Sequence, residues 1–199
     1  EHAELTVTGV AFDSSRVNPG DLFVAIPGTA VDGHQFIEQP SSHGAAAAVV
    51  MNPERVGDKP AILVESSRQA ISRLAAHFAD SPSEDLAVVG VTGTNGKTTI
   101  QWLIYTLLER LGVPALRICT LGFAAPGLQH GETLTSPDPI QMHSFLRQGV
   151  DAGARAAVLE VSSHALDQHR VDDVVFDVGI FTNLTRDHLD YHGDMESYF

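Results

Sequence analysis

Leu86–Thr99, "LAVVGVTGTNGKTT", decides the fold. An apolar run of strand length passes into a glycine-bearing loop, and "TIQWLIYTLLERLG" follows as a helix that Gly112 and Pro114 end. A loop of this composition between strand and helix turns backbone N–H groups inward, where the positive end of the helix dipole holds phosphate. In such a cradle Lys97 reaches the β- and γ-phosphates and the Thr98 hydroxyl can ligate Mg²⁺. The strict G-x-x-x-x-G-K-[ST] spacing wants Gly at position 91, where this chain has Val. The loop is therefore a variant, and its context, strand before and helix after, carries the reading of ATP or GTP binding.

Downstream, "ALRICTLGF", "AAVLEV" and "VVFDVGIFTN" read as apolar strands, the middle one preceded by the helix "PIQMHSFLRQGVDAG". Buried strands separated by helices predict a mostly parallel sheet in an α/β fold. Upstream, "LTVTGVAFDSS" alternates like a half-buried strand, and "GDLFVAIPG", "AAAAVVM" and "AILVES" are further strands. "HQFIEQP" reads as a short helix ended by Pro40, and "SSRQAISRLAAHFAD" as a helix with Ile71, Leu74, Ala75 and Phe78 at helical spacing. "SPSED" is the strongest boundary signal. It divides a small N-terminal α/β domain, residues 1–82, from a P-loop domain, residues 83–199.

Twelve Lys and Arg against 25 Asp and Glu give a net charge of −13, which opposes non-specific binding to nucleic acid or an anionic membrane. An anionic ligand must therefore be held by a local site. The single cysteine, Cys119, excludes an internal disulfide, fits a reducing compartment and reads as a small apolar strand residue. With neither a signal pattern nor a long apolar run, a soluble cytoplasmic protein is expected. The chain starts at Glu1 and stops within the opening helix "GDMESYF", so a piece of a longer protein is expected.

A P-loop names no reaction, so the downstream clusters must. A carboxylate at the C-terminal end of a strand beside the loop commonly holds the metal in phosphoryl transfer, and Glu160, ending "AAVLE", has that position. In "EVSSHALDQHRV", Glu160–Val171, adjacent Ser and His do not face each other on a helix and no G-x-S-x-G elbow surrounds them, which argues against a hydrolase. Gln168 and Arg170 instead suit a grip on carboxylate or phosphate. "FTNLTRDHLDYHGDMESY" gathers Asn183, Arg186, Asp187, His188, Asp190 and His192, a set that suits Mg²⁺ or ordered water better than a soft metal. "ETLTSPDP" offers hydroxyls at a Pro-rich turn, a plausible substrate loop.

In this order "GVTGTNGKTT", "TLTSPDP", "EVSSHALDQHRV" and "FTNLTRDHLDYHGDMESY" resemble the Mur ligases, most closely the branch that adds a diamino acid. "FDSSRVNPGDLFVAIPGTAVDGHQFI" resembles the uridine-nucleotide-binding domain of that branch. The resemblance implies an ATP- and Mg²⁺-dependent amide ligase of peptidoglycan precursor synthesis. Its small-molecule substrates are UDP-MurNAc-L-Ala-D-Glu and a diamino acid, meso-diaminopimelate or L-lysine, joined through an acyl phosphate. Nucleic acid and membrane are not among its partners, and a monomer is expected.

Matched by motif, Gly93, Thr94, Asn95, Gly96, Lys97, Thr98, Thr99 and Asn183 would bind ATP; Thr98, Glu160 and His188 would hold metal; Lys97, Glu160 and His188 would be catalytic. Phe12, Ser14, Thr29, Ala30 and Val31 match positions on the UDP-sugar, and Thr135, Ser136, Ser162, Gln168 and Arg170 match positions on its sugar-peptide part. Two stretches depart from the family pattern: D-S-R reads D-S-S-R here, which can shift the Ser14 match by one, and T-T-P-D reads T-S-P-D. The family also uses a carbamylated lysine and a C-terminal domain beyond "HGDMESY", so these 199 residues alone are expected to bind weakly and not to ligate. A folylpolyglutamate synthetase-like or other Mur-type ligase, and a non-catalytic nucleotide-binding module, are the alternatives.

Overall fold

The computed structural model describes residues 5–28, 32–37, 44–52, 54, 56 and 60–199. The chain divides into two compact units, Glu1–Phe78 and Ala79–Phe199.

In the first unit, β1 (Gly9–Ala11), β2 (Asp21–Val24), β3 (Ala47–Val50) and β4 (Ala61–Leu63) form a parallel sheet in sequence order. β2 and β3 are buried along their whole length while the edge strand β4 is exposed, which is why the two central strands read as unbroken apolar runs. Phe23, Ala25, Ile37, Ala48 and Val50 belong to the core on one side. Helix α1 (Ser67–Phe78) packs on β1, β2 and β3. It buries Ile71 and Ala75 as expected, together with Ser72 and Ala76, but Phe78 in its last turn stays exposed.

Local polar chemistry shortens two of the expected elements. The strand foreseen over "LTVTGVAFDSS" ends at Ala11, because the Asp13 side chain accepts from Ser15 N and starts a 3-10 turn over Ser14–Arg16. "HQFIEQP" forms a 3-10 turn, Gly33–Phe36, capped by Asp32 rather than an α-helix; Pro40 lies outside the described residues.

The second unit carries β5 (Ala87–Thr92), helix α2 (Lys97–Arg110), β6 (Ala115–Cys119), β7 (Gly122–Ala125), β8 (Leu128–His130), α3 (Pro139–Asp151), β9 (Ala156–Glu160), the one-turn α4 (Ser163–Asp167), β10 (Val178–Phe181), α5 (Leu189–His192) and α6 (Met195–Tyr198). The sheet order is β10-β5-β9-β6-β7-β8. The first four strands are mutually parallel and the β6–β7 and β7–β8 pairings antiparallel, so "mostly parallel" holds with one correction. "ALRICTLGF" is two strands, not one. Gly122, at φ +105, turns the chain where an added Cβ would meet the carbonyls of His130 and Gly131.

One face of this sheet packs on α3, where Leu116, Ile118, Phe123, Met142, Leu146 and Leu159 build the core. α2 packs across β5, β6 and β9, its buried Gln101 donating to Val158 O at 3.0 Å. Because β9 inserts between β5 and β6, the carboxyl ends of β5, β9 and β10 come together at a reversal of strand order. Parallel α/β sheets bind ligands at such a point.

Candidate active site

The cradle begins where β5 ends. Gly93 takes φ +121, and a Cβ there would run into the Thr182 hydroxyl and the Asn183 carbonyl, so this position tolerates only glycine. Gly96, also at positive φ, caps α2, which leaves the first N–H groups of a 14-residue helix without intrahelical partners. Lys97 Nζ donates to the carbonyls of Gly93 at 2.7 Å and Thr94 at 3.0 Å, so the ammonium is folded over the loop.

The segment after β10 clamps the same loop. Thr94 N donates to Asn183 O at 2.9 Å and Asn95 N to Asn183 Oδ1 at 3.2 Å, while Asn183 Nδ2 and the Thr182 hydroxyl donate to Asn95 O at 3.0 and 2.8 Å. The buried Thr94 hydroxyl lies 3.0 Å from Tyr198 OH and accepts from Thr185 N at 3.0 Å. Thr182, Thr185 and Tyr198 are thus loop-holding residues that motif reading passed over; for Thr182 and Thr185, polarity directly after an apolar strand was the available signal.

Glu160 pairs in register with Val91, two residues before Gly93, and is 1% exposed. Burial pushes its carboxyl above the usual range, against the opposing pull of the Thr98 and Thr120 hydroxyls, the Lys97 charge and the Thr120 N–H. Oε2 accepts from the Thr120 hydroxyl at 3.4 Å, while the buried Oε1 has no hydrogen-bond partner among the described residues. An unpartnered buried carboxylate oxygen near a threonine hydroxyl and a lysine at a helix N-terminus fits a hard divalent cation with its oxygen ligands. Among the described residues, no group of three or more His, Cys, Asp or Glu is arranged to hold a metal.

The substrate-loop residues meet on the same carboxyl ends. Asp138 caps α3 by accepting from Gln141 N, with Pro139 at the first turn, and this fixes "TSPDP" as the approach to that helix. Thr135 Oγ1 then lies 2.9 Å from Thr120 Oγ1. Ser136 Oγ donates to Glu160 O at 2.9 Å and accepts from Ser162 N at 2.9 Å, tying that loop to the end of β9. Ser162 caps α4. Arg170 Nη1 donates to Ser136 O at 2.8 Å and Nη2 to Gln168 Oε1 at 2.7 Å; Gln168 Nε2 donates to Tyr191 OH at 3.0 Å, which donates to Asp167 Oδ2 at 2.6 Å.

His188, at φ +50, places its ring edge-on to His164 with centroids 4.9 Å apart, and His164 also faces Tyr191 and His192. Burial, then the neighbouring His188 and His192, lower the pKa of His164. Ser163 does meet a histidine, but it is His192 Nε2 at 3.0 Å rather than the adjacent His164. Among the described residues no carboxylate orients the second nitrogen of His192, so a nucleophilic triad is not formed. In the first unit, Phe12 and Ser14 flank the Asp13 cap. Thr29, Ala30 and Val31 lie outside the described residues.

Against this geometry the comparisons with known proteins are decisive. A profile of the Mur ligase middle domain matches residues 91–199, and one of the Mur ligase family catalytic domain matches residues 6–79. The chain belongs to the Mur ligase family. Among curated relatives of this Mur ligase chain, the UDP-N-acetylmuramoyl-L-alanyl-D-glutamate–2,6-diaminopimelate ligase of Geobacter metallireducens is 46% identical over 98% of the chain and 38% of the relative. The enzyme of the same name from Xanthomonas campestris pv. campestris is 47% identical over 98% of the chain and 40% of the relative. The chain thus spans about two fifths of the length of these relatives. A solved structure of a ligase of that name superposes with TM-score 0.81 at 30% identity, over 96% of this chain and 39% of that one. The MurF ligase of Thermotoga maritima in complex with ADP superposes with TM-score 0.60 at 27% identity, over 98% of this chain and 42% of that one.

Proposed function

We propose that the full-length protein is an ATP-dependent amide ligase that adds a diamino acid to the D-Glu carboxylate of UDP-MurNAc-L-Ala-D-Glu in the cytoplasm. The observation that carries the reading is the pairing of the Gly93–Thr98 loop with the buried, half-unpartnered Glu160 at the next strand's end. The names of the 46–47% identical relatives support 2,6-diaminopimelate over L-lysine as the amino acid added. Residues 1–82 would take the uridine end of the substrate through Phe12, Ser14 and Thr29–Val31, and residues 83–199 would take ATP.

The residues divide the chemistry as follows. Gly93–Thr99 border the ATP, with the backbone N–H groups of Gly96–Thr99 at the α2 N-terminus receiving the phosphates; Asn183 borders the nucleotide, and Lys97 leaves its two loop carbonyls for the transferring phosphoryl group. Thr98 and Glu160 would hold Mg²⁺, with His188 on a second ion; bound metal neutralises the charge that builds up on phosphate oxygens. Arg170, Gln168, Ser162, Ser136 and Thr135 orient the sugar-peptide so that its carboxylate attacks the γ-phosphorus in line. Phosphorylation turns a poor electrophile into one with a good leaving group, which the incoming amine displaces.

The test is direct. The full-length protein with ATP, UDP-MurNAc-L-Ala-D-Glu and meso-diaminopimelate should release ADP and phosphate and form the UDP-tripeptide, with L-lysine a poorer acceptor. ATP turnover supported by folate polyglutamate and not by the UDP-dipeptide, or ATP binding with no turnover on any acceptor, would sink the reading.

A further inference from the structure

We propose that Thr120 is a positioning residue that aims the Glu160 carboxylate; this rests on the reading of Glu160 as a metal-holding group beside the nucleotide loop. Glu160 is almost wholly buried, yet its two oxygens differ: Oε2 accepts from the Thr120 hydroxyl at 3.4 Å and Oε1 has no hydrogen-bond partner among the described residues. A hydroxyl held against one oxygen biases the rotation of the carboxylate, so the direction of the other is favoured before a ligand arrives.

Thr120 stands in the two-residue turn between β6 and β7, and Gly122 shapes that turn. Its oxygen is also 2.9 Å from Thr135 Oγ1, on the approach to α3. A threonine hydroxyl has one proton to give. With Thr135 donating to Thr120, that proton is committed to Glu160 Oε2, and a single chain of hydrogen bonds joins the substrate loop to the metal-holding carboxylate. Nothing else in the turn offers a side-chain donor, since the next residues are Leu121 and Gly122.

The experiment measures, on the full-length protein, the factor by which Mg²⁺ tightens a fluorescent non-hydrolysable ATP analogue relative to EDTA. T120V should cut that factor about tenfold, the scale on which outer-shell partners of metal ligands act, and leave affinity in EDTA unchanged. T120S should restore it. E160Q should abolish the factor, and T120V added to E160Q should change nothing more. A wild-type factor in T120V, or an equal loss from T120V with and without E160Q, overturns the inference while the metal reading stands. If E160Q leaves the factor intact, both fall. A thermal melt accompanies each variant, and T120A replaces T120V if the latter does not fold.

Discussion

Lys97 shows how far a single side chain can be read. Its bonds run to two loop carbonyls, which any solvated ammonium could exchange, so it contributes little to the fold and much to phosphate charge. Lys97→Ala should lower ATP turnover at least about a hundredfold with a melting temperature within a few degrees of wild type. Arg170→Ala should raise the KM for the UDP-dipeptide about ten- to a hundredfold, the worth of a charge-assisted hydrogen bond, and leave the KM for ATP nearly unchanged; equal damage to both would contradict its substrate role. His143 makes a different case. Fully buried in α3 with neither ring nitrogen hydrogen-bonded among the described residues, it has its pKa pushed down to about 4 by burial, against the pull of Asp173. A histidine depressed in the folded state stays neutral there while the unfolded chain takes up a proton below its ordinary value of 6.5, so stability is full above that pH and falls on acidification toward 4. The loss should approach about 3 kcal/mol, and urea midpoints at pH 7.5 and 5 should converge in His143→Leu.

At the scale of elements, the strand–loop–helix unit from β5 to α2 is local and was legible: an apolar run, turn glycines and a helix ended by Gly112 follow one another without a gap. Gly93→Ala tests how tightly that unit is held, since its Cβ would displace Thr182 and Asn183 from the loop. The expected result is loss of detectable nucleotide binding in calorimetry and destabilisation of roughly 1–3 kcal/mol in a denaturant melt. The β6–β7 hairpin was not legible. "ICTLGF" has the composition of one buried strand, and only the positive φ of Gly122 and the antiparallel partner Gly122–Ala125 reveal the reversal. The error mattered, because that turn delivers Thr120 to Glu160.

For the whole molecule, two units with separate sheets and a net charge of −13 imply that anions are held by local cradles rather than by the overall field. No helix among the described residues is long and apolar enough to cross a membrane. If the proposed division of labour holds, hydrogen exchange on the full-length protein should show the Mg²⁺-bound ATP analogue protecting amides within 79–199 and none within 1–78, whereas the UDP-dipeptide protects amides in both units. Protection of 1–78 by the nucleotide alone would contradict the division of labour between them.

Sequence order carried the chemistry that is contiguous: the Gly93–Thr98 loop, the Asp138–Pro139 helix start, the apolar strands and the family they belong to. Their identities suffice because φ preferences, capping and alternation act over a few residues. The approach of Thr120 and Ser136 to Glu160, the Thr120–Thr135 contact, the clamp of Asn183 and Tyr198 on the loop, and the bonds of Arg170 to Ser136 and Gln168 to Tyr191 span separations of 15 to 104 residues. Those contacts follow from the strand order β10-β5-β9-β6, which is set by how the sheet buries its two faces and not by any local preference.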